Sequence, residues 1–319
     1  MIAILHHLLV RPALALGLVV SLATLSPVLA ASAQDDEGIE AFASQEAPPT
    51  FDTAAAAVDA FQTALADDDL DGLARLLGLD AAKLKADEGS MDSYARIREG
   101  AARQLFVEED GDRVLIDLGA KLWPFPFPVV KTDDGKWAFD AQAGLEEIVN
   151  RRIGENELET IATMRAYVAA QHAYASADRD GDGVREFAQK LLSGDGETDG
   201  LYWPAGSDAG ESPAGEFVDQ AALDTAREGR GYFGYRYRIL TGQGPRIAGG
   251  AYDYVINGNM IAGFALLAWP VTYGQTGVNT FMVNQYGIVY ETDLGPATAE
   301  IVPYIERFNP DDSWDVVTD

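Results

Sequence analysis

Val58, Phe61 and Leu65 recur at helical spacing, Asp67-Asp68-Asp69 interrupts them, and Leu70, Leu73, Leu76 and Leu77 resume the apolar face. The pattern predicts a helix, a break and a second helix. Arg113 to Leu118 alternates apolar and polar residues as a strand does. Further on, Phe127-Pro128-Val129-Val130-Lys131 and Lys136-Trp137-Ala138-Phe139 flank Asp133-Asp134-Gly135, the signature of a hairpin closed by an Asp-Gly turn. Pro124, Pro126 and Pro128 alternate with Phe125 and Phe127. Because proline donates no ladder hydrogen bond, this run is expected at a sheet edge.

The second half reads differently. A long helix is expected from near Asn156, with Ile161, Met164, Val168 and Ala175 on one face, and a shorter one through Phe187, Leu191 and Leu192. Tyr235 to Ile239, Gly263 to Trp269, Asn279 to Asn284 and Ile288 to Glu291 are strand-like runs separated by glycine-rich turns, and Ala297 to Phe308 reads as a last amphipathic helix. One long helix on an antiparallel meander is an α+β arrangement. Ahead of all this stand Arg11, the apolar run Ala13 to Leu25 and small residues around Ala30 and Ala33, the order of a cleavable signal peptide. The run is shorter than the ~20 residues needed to span a bilayer. The expected organisation is therefore a signal peptide over 1–33, a flexible Asp/Glu/Ala/Ser/Pro-rich linker over 34–50, a first α+β domain over 51–155 and a second over 156–319, in a periplasmic or secreted protein with no transmembrane segment in its mature chain.

Charge narrows the partners. With 51 Asp and Glu against 23 Lys and Arg, the chain lacks the basic footprint that displaces counterions from nucleic acid, so no nucleic-acid partner is expected. Anionic membrane surfaces are disfavoured on the same ground, whereas divalent cations are favoured. Cysteine is absent, which removes disulfides, thiolate metal sites and a cysteine nucleophile together.

The helix-then-hairpin order of the first domain resembles the cone-shaped domains of the nuclear transport factor 2-like (NTF2-like) superfold, which implies a ligand pocket there. Arg152-Ile153-Gly154-Glu155-Asn156-Glu157, Asp199-Gly200-Leu201-Tyr202-Trp203-Pro204, Gly249-Gly250-Ala251-Tyr252-Asp253-Tyr254, Phe264 to Pro270 and Val283-Asn284-Gln285-Tyr286-Gly287 resemble a family of exported bacterial proteins catalogued as domain of unknown function 2950. That resemblance implies export and names no activity. Within it, the order of long helix, Asp-Gly loop, Gly-Tyr strand and Asn-x-x-Gly turn is similar to the globular heads of type IV pilins and pseudopilins. It implies a scaffold for surface contacts, although a separate domain stands where a pilin carries its assembly helix.

The strongest candidate site is Asp178-Arg179-Asp180-Gly181-Asp182-Gly183. Calcium takes about six to eight oxygens, and carboxylates at alternate positions closed by a glycine suit it. Asp178, Asp180 and Asp182 occupy the first, third and fifth ligand positions, the Val184 carbonyl the seventh and Glu186 the ninth, while Gln189 replaces the usual final glutamate. Glu197 or Asp199 could complete the shell. Tyr202, Trp203 and Tyr235 are candidates for ligand contact, since tyrosine and tryptophan present large amphipathic surfaces. His172 is the single histidine outside the signal segment, and no Gly-x-Ser-x-Gly elbow is present, so no catalytic residue is assigned. Arg236 and Arg238, on one strand face, are expected to be neutralised by acids. The expected function is a non-catalytic, calcium-stabilised binding or assembly module at the cell envelope, meeting an envelope protein or polysaccharide. Two alternatives stand beside it. One is a carboxylate-dependent hydrolase of envelope polymers; the other is a small-ligand carrier with an apolar cavity behind Trp123 and Trp137.

Overall fold

Four helices open the N-terminal unit, and each starts on a side chain that accepts an otherwise orphaned backbone N–H. Thr53 caps α1 (Ala54–Ala66), and Asp69, Asp80 and Asp87 cap α2 (Leu70–Leu77), α3 (Ala81–Ala86) and α4 (Glu88–Arg103). The aspartate run between α1 and α2 is thus a chain reversal, with Asp68 at a φ of 59° and Asp69 as cap. The computed structural model describes residues 38–206 and 210–318. The signal segment over 1–33 lies outside them. Within the expected linker, Ile39–Phe42 forms a 3-10 turn, and Asp80 and Ser44 donate backbone hydrogen bonds to Phe42 and Gly78.

Strands β1 (Leu105–Asp110), β2 (Arg113–Leu118), β3 (Trp123–Pro124), β4 (Val129–Lys131) and β5 (Trp137–Phe139) form an antiparallel sheet in the order β1-β2-β4-β5, with β3 also on β2. The Asp-Gly hairpin forms as expected, with Gly135 at a φ of 81°. The core of this unit is aromatic. Phe61 lies 4.8 Å from Phe125 and 5.7 Å from Phe139, centroid to centroid, and Phe125 lies 5.6 Å from Phe127. Trp123 is 43% exposed at its edge.

A single helix, α5 (Ala141–Tyr174), then runs through the division between the two compact units, which falls between Ile148 and Val149. The long helix therefore begins well before Asn156. Asp140 provides the start, its carboxylate accepting from Ala143 at 3.0 Å, and Leu145 and Val149 keep the apolar spacing. Gly144 is where a ring of the N-terminal core meets this helix: a Cβ there would sit 1.9 Å from Phe127.

In the C-terminal unit, Thr160, Met164, Tyr167, Gln171 and Tyr174 form the buried stripe of α5. It packs on β6 (Tyr235–Leu240), β11 (Ala265–Pro270), β12 (Asn279–Asn284), β13 (Val289–Asp293) and β14 (Asp315–Val316), an antiparallel sheet in the order β14-β13-β12-β11-β6. Short pairs β7 (Gly242–Gln243) with β8 (Tyr252–Asp253), and β9 (Val255–Ile256) with β10 (Asn259–Met260), fill the long connection from β6 to β11. Helix α6 (Gln220–Arg227) lies in the connection before β6.

One expected helix is absent and another is shortened. Residues 187–192 form no helix: Gln171 binds both backbone groups of Ala188, at 2.8 and 2.9 Å, Phe187 donates to Met260, and Leu191 and Ser193 bond to Tyr202. With those groups committed elsewhere, no i to i−4 ladder forms. The last helix is only α7 (Thr298–Ile301) and a 3-10 turn, Val302–Tyr304, because Pro303 cannot donate and Arg238 takes the carbonyls of Val302 and Ile305, each at 2.7 Å.

Candidate functional site

The sequence from Arg152 to Glu157 forms a clamp. One face of α5 carries Arg152, Asn156 and Glu157, which bond to the Gln275 and Thr276 carbonyls and to the Val278 and Asn279 backbone N–H groups, at 2.8 to 3.1 Å. The Tyr235 hydroxyl donates to the Asn279 carbonyl at 2.9 Å and lies 3.3 Å from the same Glu157 oxygen. Gly277 is required beneath it, since a Cβ would fall 2.1 Å from that hydroxyl oxygen. Burial and the Glu157 carboxylate push the Tyr235 phenol far above its ordinary range. On β13, Glu291 is also raised, first by burial and then by Glu157 and Asp315. Tyr235 is thus a core residue anchoring the helix to the sheet.

The acidic loop follows α5. Carboxylate oxygens of Asp178, Asp180 and Asp182 lie within 4.8 Å of one another, all exposed. Asp178 accepts from the backbones of Gly181 and Gly183 at 2.8 and 3.0 Å, which holds its pKa below the usual carboxylate range. Gly181 and Gly183 adopt φ of 80° and 87°, so the turn needs glycine. Asp182 accepts from Val184 N at 2.7 Å with one oxygen and from Asn259 Nδ2 at 2.7 Å with the other. Glu186 turns away to accept from Met260 N at 3.0 Å, and the Gln189 amide donates to the Gly258 carbonyl at 2.6 Å. Asp199 is engaged by Lys190 and by Gly194 N, which lowers its pKa, so it is committed outside the cluster.

The structure therefore brings together Asp178, Asp180 and Asp182, places Val184 directly after them, and commits Glu186 to the β9–β10 hairpin. The donors are hard oxygens only, a set that fits calcium and leaves several positions to water. What the sequence alone did not reveal is the docking of this loop onto residues 258–260, which lie far along the chain.

Trp203 is buried and its indole N–H donates to Gly210 O at 2.9 Å; Arg179 lies over its ring at 5.4 Å. Tyr202 and Tyr235 do share one cavity of about 500 Å³, which Trp203 does not line. His172 packs edge-on to Phe187 and Phe264, at 6.0 and 5.5 Å, and no serine or carboxylate hydrogen-bonds to it among the described residues. The arginine expectation is corrected for Arg238, which is satisfied by backbone carbonyls and by Trp269, 5.7 Å away, rather than by acids.

Helices and antiparallel sheets in both units make this an α+β protein, and among the described residues no helix is long and apolar enough to cross a membrane. Residues 49–317 match the family described as protein of unknown function (DUF2950), and the chain belongs to it. Comparison with curated proteins and with solved structures gave no match.

Proposed function

We propose that this is an exported, non-catalytic binding or assembly module of the cell envelope, in which calcium held by Asp178, Asp180 and Asp182, with the Val184 carbonyl, rigidifies the C-terminal unit. In this reading the N-terminal unit is an NTF2-like cone and the C-terminal unit a pilin-like head presenting a surface to an envelope protein or polysaccharide. The supporting observation is the convergence of three anionic carboxylates on a loop tied to a distant hairpin through Asn259 and Met260. An ion at such a loop would order the hairpin with it. Calorimetric titration and thermal melts in chelator and in calcium test this. At a calcium concentration of 100 times Kd, one-site binding adds about 2.7 kcal/mol, or roughly 5–10 °C for a unit of this size. Asp180→Ala is expected to lose both the binding and the shift; equal shifts in the two proteins would refute the assignment.

The competing hydrolase reading draws on the raised Glu291 beside Glu157. Against it, the Glu157 oxygen that would accept a proton already accepts two backbone N–H groups. Incubation with purified envelope polysaccharide and a reducing-end assay decides: product formed by the wild type and lost in Glu291→Gln would replace the binding reading.

A further inference from the structure

The cavity of about 500 Å³ in the C-terminal unit falls in the size range of small-molecule sites, about 300–1,000 Å³. Its floor is made by Thr163, Ala166, Tyr167 and Ala170 of α5, at helical spacing, with Tyr167 shared with the buried stripe. Leu191, Leu201, Tyr202, Phe217, Leu223 and Ala226 come over it from the chain between α5 and β6, and Tyr235 and Tyr237 close it along the edge strand. Leu192 and Phe217, both also part of the lining, are each 46% exposed, so apolar surface continues to the mouth.

The polar inventory decides what fits. Five of the six hydroxyls in the lining already donate to protein oxygens, and the sixth, that of Tyr232, accepts a backbone hydrogen bond. Tyr202 donates to Gln220 Oε1, Tyr237 to Thr160 Oγ1, Tyr167 to the Ala265 carbonyl and Thr163 to the Glu159 carbonyl, while Tyr232 accepts from Asp219 N. Burial pushes the phenols of Tyr167, Tyr232 and Tyr237 up, so none is a phenolate at neutral pH. The one ionic residue in the lining is Arg236. Its neighbours Tyr235 and Tyr237 both reach α5, so strand alternation places Arg236 on the sheet face of its register partner Trp269, which also lines the cavity. A sugar, nucleotide or peptide backbone would leave most of its own polar groups unpaired here, at about 1–3 kcal/mol each.

A second observation comes from the backbone. Next to the lining residues Gly229, Gly231 and Tyr232, Phe233 adopts a φ of 51° and Gly234 one of 73°, a tight reversal that a bulky residue seldom adopts. Gly231, at 81°, lies where a Cβ would be 2.6 Å from Val271. Such backbone strain tends to gather at ligand sites.

We propose that this cavity binds the hydrocarbon portion of a lipid-like ligand, an uncharged chain or ring system that needs no directed hydrogen bond. The inference is independent of calcium binding. The test uses the neutral fluorophore N-phenyl-1-naphthylamine with the full mature chain in chelator, hexadecanol as competitor and maltose as polar control. Expected are saturable 1:1 binding, displacement by hexadecanol and none by maltose. Ala166→Trp, which fills the cavity, is expected to weaken binding at least tenfold, whereas Ala169→Trp, on the exposed side of the helix, leaves it unchanged. Thr163→Phe serves as a second filling variant should Ala166→Trp fail to melt cooperatively. Binding that is absent, non-saturable, or equally strong in a folded filling variant overturns the proposal.

Discussion

Gln171 shows how one buried side chain can decide the course of a distant segment. Fully buried, its amide oxygen accepts from Ala188 N at 2.8 Å, and its amide nitrogen donates to Ala188 O at 2.9 Å and to the Tyr167 hydroxyl at 3.0 Å. A glutamine so placed replaces a neighbouring strand. Gln171→Ala would strand two buried backbone groups at about 1–3 kcal/mol each. Thermal melts of this variant are expected to fall by roughly 4–24 °C, at about 2–4 °C per kcal/mol; an unchanged melting temperature would mean that water replaces the amide. Glu291 offers the opposite sign. Its folded pKa is raised by burial and by Glu157 and Asp315, so the folded state holds the proton to higher pH than the unfolded chain does. Stability from this group is lost as pH rises from the ordinary carboxylate range through the raised value, and is flat above. Glu291→Gln escapes that loss. Its melting temperature is expected to exceed the wild type's at pH 7, with the advantage shrinking by pH 4; an advantage independent of pH would place its origin in packing.

At the scale of elements, the sequence was most legible where a segment's hydrogen bonds stay local. The break at Asp67-Asp68-Asp69, the Asp-Gly hairpin and the strand runs from Tyr235 to Glu291 all match the elements found, because apolar period and turn chemistry agree there. Legibility failed where tertiary partners took over the backbone. Phe187, Leu191 and Leu192 do carry helical spacing, yet Gln171, Met260 and Tyr202 claim the intervening N–H and C=O groups. Strand β1 was missed for another reason: Phe106 to Asp110 are all exposed and three of them are acidic, so no alternation marks a buried face. Of the candidate site, the aspartate cluster could be read directly, since its ligand spacing lies within one loop. The cavity could not. Its walls come from α5, the chain before β6, β6 itself and β11, and nothing local relates Ala166 to Leu201 or Tyr237.

Across the whole molecule the dominant quantity is a net charge of −28. Ion pairs offset little of it, since pairs such as Lys85–Asp71 and Lys136–Asp52 are solvent-exposed and contribute about 0–1 kcal/mol each. Like charges spread over the surface repel in the folded state more than in the expanded chain, so the molecule is expected to gain stability as salt screens them. The Debye length falls from ~30 Å at 0.01 M to ~10 Å at 0.1 M, which places most of that gain below physiological ionic strength. This bears directly on the calcium proposal, because any divalent cation also screens a polyanion. The two effects separate at fixed ionic strength. With sodium chloride holding it at 0.15 M, millimolar calcium hardly alters the screening, and a rise in melting temperature that persists there belongs to a site. Asp180→Ala is then expected to retain the full sodium chloride dependence while losing the calcium increment. Loss of both together would assign the loop a general electrostatic role, and retention of both would move the calcium response to the diffuse surface charge.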